Sequence, residues 1–90
     1  MLRICRSEGQ TIMINDYKFV IDHVSALSVR VKYKDKLYTL DVAEFRPFDT
    51  FKAVLISTRR FSCCVGFKAD MSVQIWRKEI YDRRRNEYLS

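Results

Sequence analysis

The chain has 90 residues, 48% of them hydrophobic, with two glycines and one proline; this is enough for one hydrophobic core and excludes a second domain or a disordered tail. Seventeen Lys and Arg against eleven Asp and Glu give a net charge of +6, which favours an anionic partner such as nucleic acid or a lipid surface. No run approaches the roughly 20 apolar residues of a membrane span, and Arg3, Arg6 and Glu8 interrupt any signal-peptide core, so a cytoplasmic protein starting at Met1 is expected.

In chain order, Met1 to Arg6 alternates apolar and basic residues and predicts a short edge strand, followed by a turn at Ser7 to Gln10. Thr11 to Ile14 predicts a second strand closed by Asn15-Asp16, and Tyr17 to Val24 a third with Phe19, Ile21 and His23 on one face. Ser28 to Tyr33 and Leu37 to Val42, joined at Lys34-Asp35-Lys36, predict a hairpin. After Pro47 the spacing of Phe48, Phe51, Val54, Leu55 and Thr58 predicts a short amphipathic helix, although the β-branched Val54, Ile56 and Thr58 equally suit a strand. Phe61 to Phe67 and Ser72 to Trp76 predict two more strands. Arg77 to Leu89 predicts a C-terminal helix with Ile80, Tyr81, Arg84 and Tyr88 on one side.

No catalytic constellation accompanies these elements. There is no glycine-rich phosphate loop and no cluster at metal-ligand spacing, and His23, the one histidine, falls inside a strand pattern where a structural role is expected. Cys5, Cys63 and Cys64 are odd in number and include an adjacent pair, which suits neither a secreted disulfide framework nor a zinc site; three reduced, dispensable thiols are expected. Neither an enzyme nor a cofactor is expected.

Two segments carry more information. The opening Met1-Leu2-Arg3-Ile4-Cys5-Arg6, the Gly9-Gln10-Thr11 turn and the short apolar strand after it resemble the start of the carbon storage regulator (CsrA/RsmA) family. The run Cys63 to Tyr81 resembles that family's last two strands and helix start without a gap, keeping Gly66, Ala69, Val73, Arg77, Glu79, Ile80 and Tyr81. The resemblance implies a mainly β fold with a C-terminal α-helix, an intertwined homodimer in which first and last strands pair with the partner's sheet. It also implies binding of GGA in single-stranded loops of messenger RNA leaders, masking the ribosome site and repressing translation. A small chain with strands at both ends supports a dimer independently, because exchange closes exposed strand edges and adds buried area.

The RNA site that the resemblance implies comprises Leu2, Arg3, Ile4, Cys5 and Arg6 from the first strand and Val73, Gln74, Ile75, Trp76, Arg77 and Lys78 from the last strand and helix start. Strand backbone groups and planar side chains read splayed bases, and an Arg fork holds guanine or a phosphate in two bonds. Arg77, at the strand-to-helix junction, is the first choice, against the bland alternative of a solvated helix-start arginine. Trp76 is either a stacking platform or an interface anchor.

The sequence departs from the family at Ser7, where a second Arg is usual, at Asp70, where Pro is usual, at Trp76, commonly His, and at Lys78, commonly an acid. A segment of about residues 28–61 is inserted, expected as a hairpin and short helix. Its Phe45, Phe48, Phe51 and Leu55 either extend the core and dimer interface or offer a protein partner a surface. Arg83, Arg84 and Arg85 are either a solvated helix face or an extension of the RNA track. An RNA-binding translational regulator is therefore expected, with a protein-interaction module of little RNA affinity as the alternative.

Overall fold

Period-two alternation builds most of this chain. The computed structural model describes residues 1–89, with side chains as far as Arg83. Its strands are β1 (Leu2–Ser7), β2 (Thr11–Ile14), β3 (Tyr17–Val24), β4 (Ser28–Tyr33), β5 (Lys36–Asp41), β6 (Arg46–Pro47), β7 (Phe51–Arg59), β8 (Ser62–Ala69) and β9 (Ile75–Arg77), and helix α1 (Lys78–Leu89) follows directly. The fold is thus mainly β with one C-terminal helix, and β2, β3 and β4 have the bounds their alternation predicts. The side chains of Arg84, Arg85 and Tyr88, assigned above to a helix face, lie outside the described residues; Arg83 is exposed.

The strands form two antiparallel sheets, one of four in the order β1-β8-β7-β6 and one of five in the order β5-β4-β3-β2-β9. Turn chemistry sets the hairpins. Gly9 takes φ 86° between β1 and β2, where a side chain would be strained, and Asn15 takes φ 53° between β2 and β3. Lys34 and Asp35 both have positive φ, as the two central residues of a tight β4–β5 hairpin turn require.

One core lies between the sheets. Ile4, Val65, Phe67, Phe51, Ala53 and Leu55 meet Ile12, Ile14, Phe19, Ile21, Val29, Val31, Tyr33 and Leu40, all buried. Phe19, Tyr33, Phe48, Phe51 and Phe67 form an aromatic cluster with ring centroids 4.8–6.1 Å apart, mostly edge-to-face. The segment read as an insertion therefore supplies a large part of the core. Phe48, Phe51 and Leu55, expected either as core or as a partner surface, are in the core.

Two sets of expectations are corrected here, one on strand patterns and one on cysteines. The short helix after Pro47 is strand β7, and the inserted segment is a hairpin followed by β6 and β7. Phe51, Ala53 and Leu55 face the core with period two, and Val54, buried on the opposite face beside Gly66, completes an apolar spacing that imitates a helix; a bulge between Leu55 and Ser57 then shifts the register. Pairing with β8 along its whole length suits the β-branched Val54, Ile56 and Thr58. Similarly, a bulge between Ile21 and His23 in β3 turns His23 out of the core face, leaving its side chain 57% exposed beside Glu8, with Nδ1 2.9 Å from Oε1.

The second correction concerns the cysteines. Cys5 in β1 lies directly opposite Cys64 in β8, with Cα atoms 3.9 Å apart, and the two form a disulfide; only Cys63 keeps a thiol, buried on the other face of β8. Adjacent cysteines in a strand point to opposite faces, so one joins the bridge and the other joins the core. Among the described residues no helix is long and apolar enough to cross a membrane.

Candidate nucleic-acid interface

On one side of the molecule the sheets are sewn together. Beyond β5, Val42 bridges Leu55 of β7 and the Ala43 N–H donates to the Leu55 carbonyl at 3.1 Å. On the opposite side each sheet ends in an edge strand, β1 for one and β9 for the other. These are the two terminal segments that the sequence singles out, and the fold of a single chain brings them to one seam.

At the β1 start the seam opens into a groove of about 440 Å³. Met1 and Leu2 line it together with Val73, Gln74, Ile75 and Trp76, and Lys68 and Asp70 also contribute to its wall. Leu2 is 45% exposed, and Val73, Ile75 and Trp76 are half-buried. The groove thus offers apolar and aromatic side chains next to two strand edges.

At the other end the seam is closed by a charged clamp. Arg6 donates from Nη1 to Glu79 Oε1 at 2.8 Å and from Nη2 to Oε2 at 2.9 Å, a bidentate pair linking β1 to the first turn of α1. The Arg6 side chain is only 8% exposed, whereas Glu79 is half exposed. The hydrogen bond from Arg6 holds the Glu79 carboxyl below the usual carboxylate range, with Arg77 adding to the effect. A carboxylate at a helix N-terminus also complements the helix dipole.

The β2–β3 turn fixes β9 against this frame. The Asn15 N–H donates to the Gln74 carbonyl at 2.7 Å, the Gln74 N–H donates to Asn15 Oδ1 at 2.9 Å, and Tyr81 Oη donates to Asp16 Oδ1 at 2.7 Å. Ile75 and Arg77 register with the buried Ile14 and Ile12 of β2, and Trp76 with Met13. Short as it is, β9 is held at both ends.

The residues expected to contact RNA are divided by this geometry. Leu2, Val73, Gln74, Ile75 and Trp76 gather at the groove. Arg77 is exposed at the end of β9, and Lys78 at the helix start is paired with Asp82 at 2.7 Å. Arg3 and Cys5 are exposed on the outer face of the four-stranded sheet, where Cys5 is in the disulfide, and Ile4 is in the core. Arg6, read as an RNA-gripping fork, is buried and already gripped by Glu79. Sequence reasoning missed Met1 and Lys68 as groove residues, and it read Asp70 only as a departure from the family. The signal for Lys68 was its place at the end of a strand next to that loop.

Burial pushes the Cys63 thiol up to about 11. Among the described residues no three His, Cys, Asp or Glu side chains are grouped to hold a metal ion. Comparison with family models, curated proteins and solved structures finds no significant match for this chain.

Proposed function

We propose that this chain is an RNA-binding post-transcriptional regulator whose β1–β9 seam holds a single-stranded, GGA-type loop of a messenger RNA leader. The observation that carries the reading is the convergence of the two terminal segments on one groove, the pair of segments that resemble the carbon storage regulator family. Strand-edge backbone groups next to the apolar and planar side chains of Leu2, Val73 and Trp76 suit unstacked bases, and the exposed Arg77 fork suits guanine or a phosphate. The site binds and does no chemistry; covering a leader segment would repress its translation.

The test is binding of a hairpin RNA with GGA in its loop, compared with a loop-mutated hairpin, at two salt concentrations. The GGA hairpin should bind more tightly at both, with the sequence-independent part weakening as salt rises. Equal binding of the two hairpins would remove the reading and favour a protein-interaction module, which the buried Arg6 and the Asp70 carboxylate at the groove would then explain.

The homodimer belongs to the same proposal. The β1–β8 and β2–β9 ladders that form here within one chain would keep their registers if two chains exchanged these strands, and the seam would be rebuilt twice. Light scattering should then give twice the 10.8 kDa chain mass. A single-chain mass at micromolar concentration would mean that the seam closes within each chain.

A further inference from the structure

The outer face of the four-stranded sheet carries cations and no acid. Registers across β1, β8 and β7 place Lys68 beside Lys52, then Arg3, Gly66 and Val54 in the next row, then Cys5, Cys64 and Ser57, then Ser7, Ser62 and Arg59. None of these three strands contains Asp or Glu. Among the described residues the ion pairs engage other cations, leaving Arg3, Lys52, Arg59 and Lys68 without an acidic partner. Lys52 lies directly opposite Lys68, a like-charge pair that costs stability unless an anion lies between the two.

The shape of this face fits a chain of phosphates. In its middle the Met1 side chain lies over Gly66 beside the buried Val54, and the next rows are small residues, where a cavity of about 320 Å³ is bounded by Arg3 and Arg59 over the disulfide and Ser57. At each end stands an aromatic ring already under a cation. Phe61, 61% exposed in the β7–β8 turn, has the Arg60 guanidinium 5.4 Å from its centroid, and Phe45, 38% exposed, has Lys68 Nζ at 4.4 Å. Glu8, whose N–H donates to the Phe61 carbonyl, directs its carboxylate to His23 and the Val24 N–H. Basic side chains with rings beside them are what a single strand of nucleic acid needs, because phosphates pair with the cations and any base stacks on a ring. A lipid surface would require an apolar stripe to insert, whereas the middle of this face has the side chain of Met1 over Gly66 between rows of basic and small polar residues.

We infer that the outer face of the four-stranded sheet is a sequence-independent track for single-stranded RNA, running from Lys52 and Lys68 past Arg3 to Arg59 and Arg60. Along β7 it is about 23 Å long at ~3.3 Å per residue. It rests on the RNA-binding reading for the class of polymer, but it needs no GGA and shares only Lys68 with the residues that line the seam groove, so the Arg59 and Arg60 pair separates the two sites. In that reading it carries the strand flanking the loop that the seam holds.

The experiment uses a labelled oligouridylate of about 12 nucleotides, which offers phosphates and bases but no GGA, titrated onto the full chain across roughly 50 to 200 mM salt. Two double variants, Lys52→Gln with Lys68→Gln and Arg59→Gln with Arg60→Gln, change exposed side chains only. Each should weaken binding about tenfold and flatten the dependence of log K on log salt by about 1.4, the value for two phosphate contacts to a single strand. A charge-matched control on the other sheet, Lys18→Gln with Lys32→Gln, should change neither. Equal losses in all three would show attraction to net charge alone and overturn the track, as would binding of anionic phospholipid vesicles without binding of oligouridylate. Loss of oligouridylate binding in the two face variants, in a protein that does not distinguish GGA from mutated hairpins, would uphold the track and remove the seam reading. Preference for GGA with unchanged oligouridylate binding in the face variants would do the reverse.

Discussion

Arg6 and Arg77 show how much two arginines of similar promise in the sequence differ once folded. Both resemble RNA-contacting positions, but Arg6 is enclosed by the Glu79 carboxylate and Arg77 is exposed at the mouth of the helix. Arg77→Ala should therefore lose about 1 to 3 kcal/mol of affinity for a GGA hairpin, with Arg77→Lys recovering only part because a point charge does not replace a planar fork. Its stability should hardly change, as expected for an exposed arginine. Glu79→Ala should instead lower stability by about 2 kcal/mol in denaturant unfolding, since it leaves a buried guanidinium without its charged hydrogen bonds; Glu79 is half exposed, so the loss stays below the ~3–5 kcal/mol of a fully buried pair. Because the Glu79 pKa is lowered by folding, the clamp's contribution is complete above the ordinary carboxylate value of about 4.3 and disappears as pH falls through the folded value. Glu79→Gln should lose less stability than the natural protein as pH falls from neutral through the carboxylate range. Burial of Arg6 was not legible in the sequence, because its partner lies 73 residues away and only folding brings them together.

Among the elements, the cross-strand disulfide ties β1 to β8, and the Asn15 turn ties β9 to β2. With three cysteines, two of them bonded, the oxidised protein should show no thiol reacting readily at pH 8 when native, one in denaturant and three after reduction. Three native-reactive thiols without reductant would contradict the bridge. Asn15→Ala removes the acceptor of the Gln74 N–H and leaves at φ 53° a residue without the polar side chain that lets Asn tolerate the left-handed region, so it should cost about 1 to 2 kcal/mol in urea unfolding and weaken hairpin binding through the loosened β9. Alternation gave β3 and β4 away, and the apolar run between two turns gave β2, which is buried on both faces. In β7 the burial of Val54 on the outer face was not visible, and with it Phe48, Phe51, Val54 and Leu55 take the spacing of a helix. The Cys5–Cys64 pair was hidden for a related reason: cysteine counting does not report strand register.

For the whole molecule, the segment between β3 and β8 supplies β4 to β7 and with them a large part of the core between the two sheets. The resemblance located both sides of the seam, and the β1–β8 and β2–β9 ladders are compatible with the proposed exchange between two chains because their registers would be the same in either arrangement. Composition gave the net positive charge but not its division, which arises because β1, β7 and β8 carry no acid and lie in one sheet. The central claim is that the seam groove is where an RNA loop sits. It is tested most directly by mapping backbone amide chemical shifts as a GGA-loop hairpin is added to the isotope-labelled protein. The largest changes should fall on residues 1–6 and 73–78, with smaller, salt-sensitive ones at Lys52, Arg59 and Lys68. Changes confined to β4 and β5, or none at saturating RNA, would contradict it.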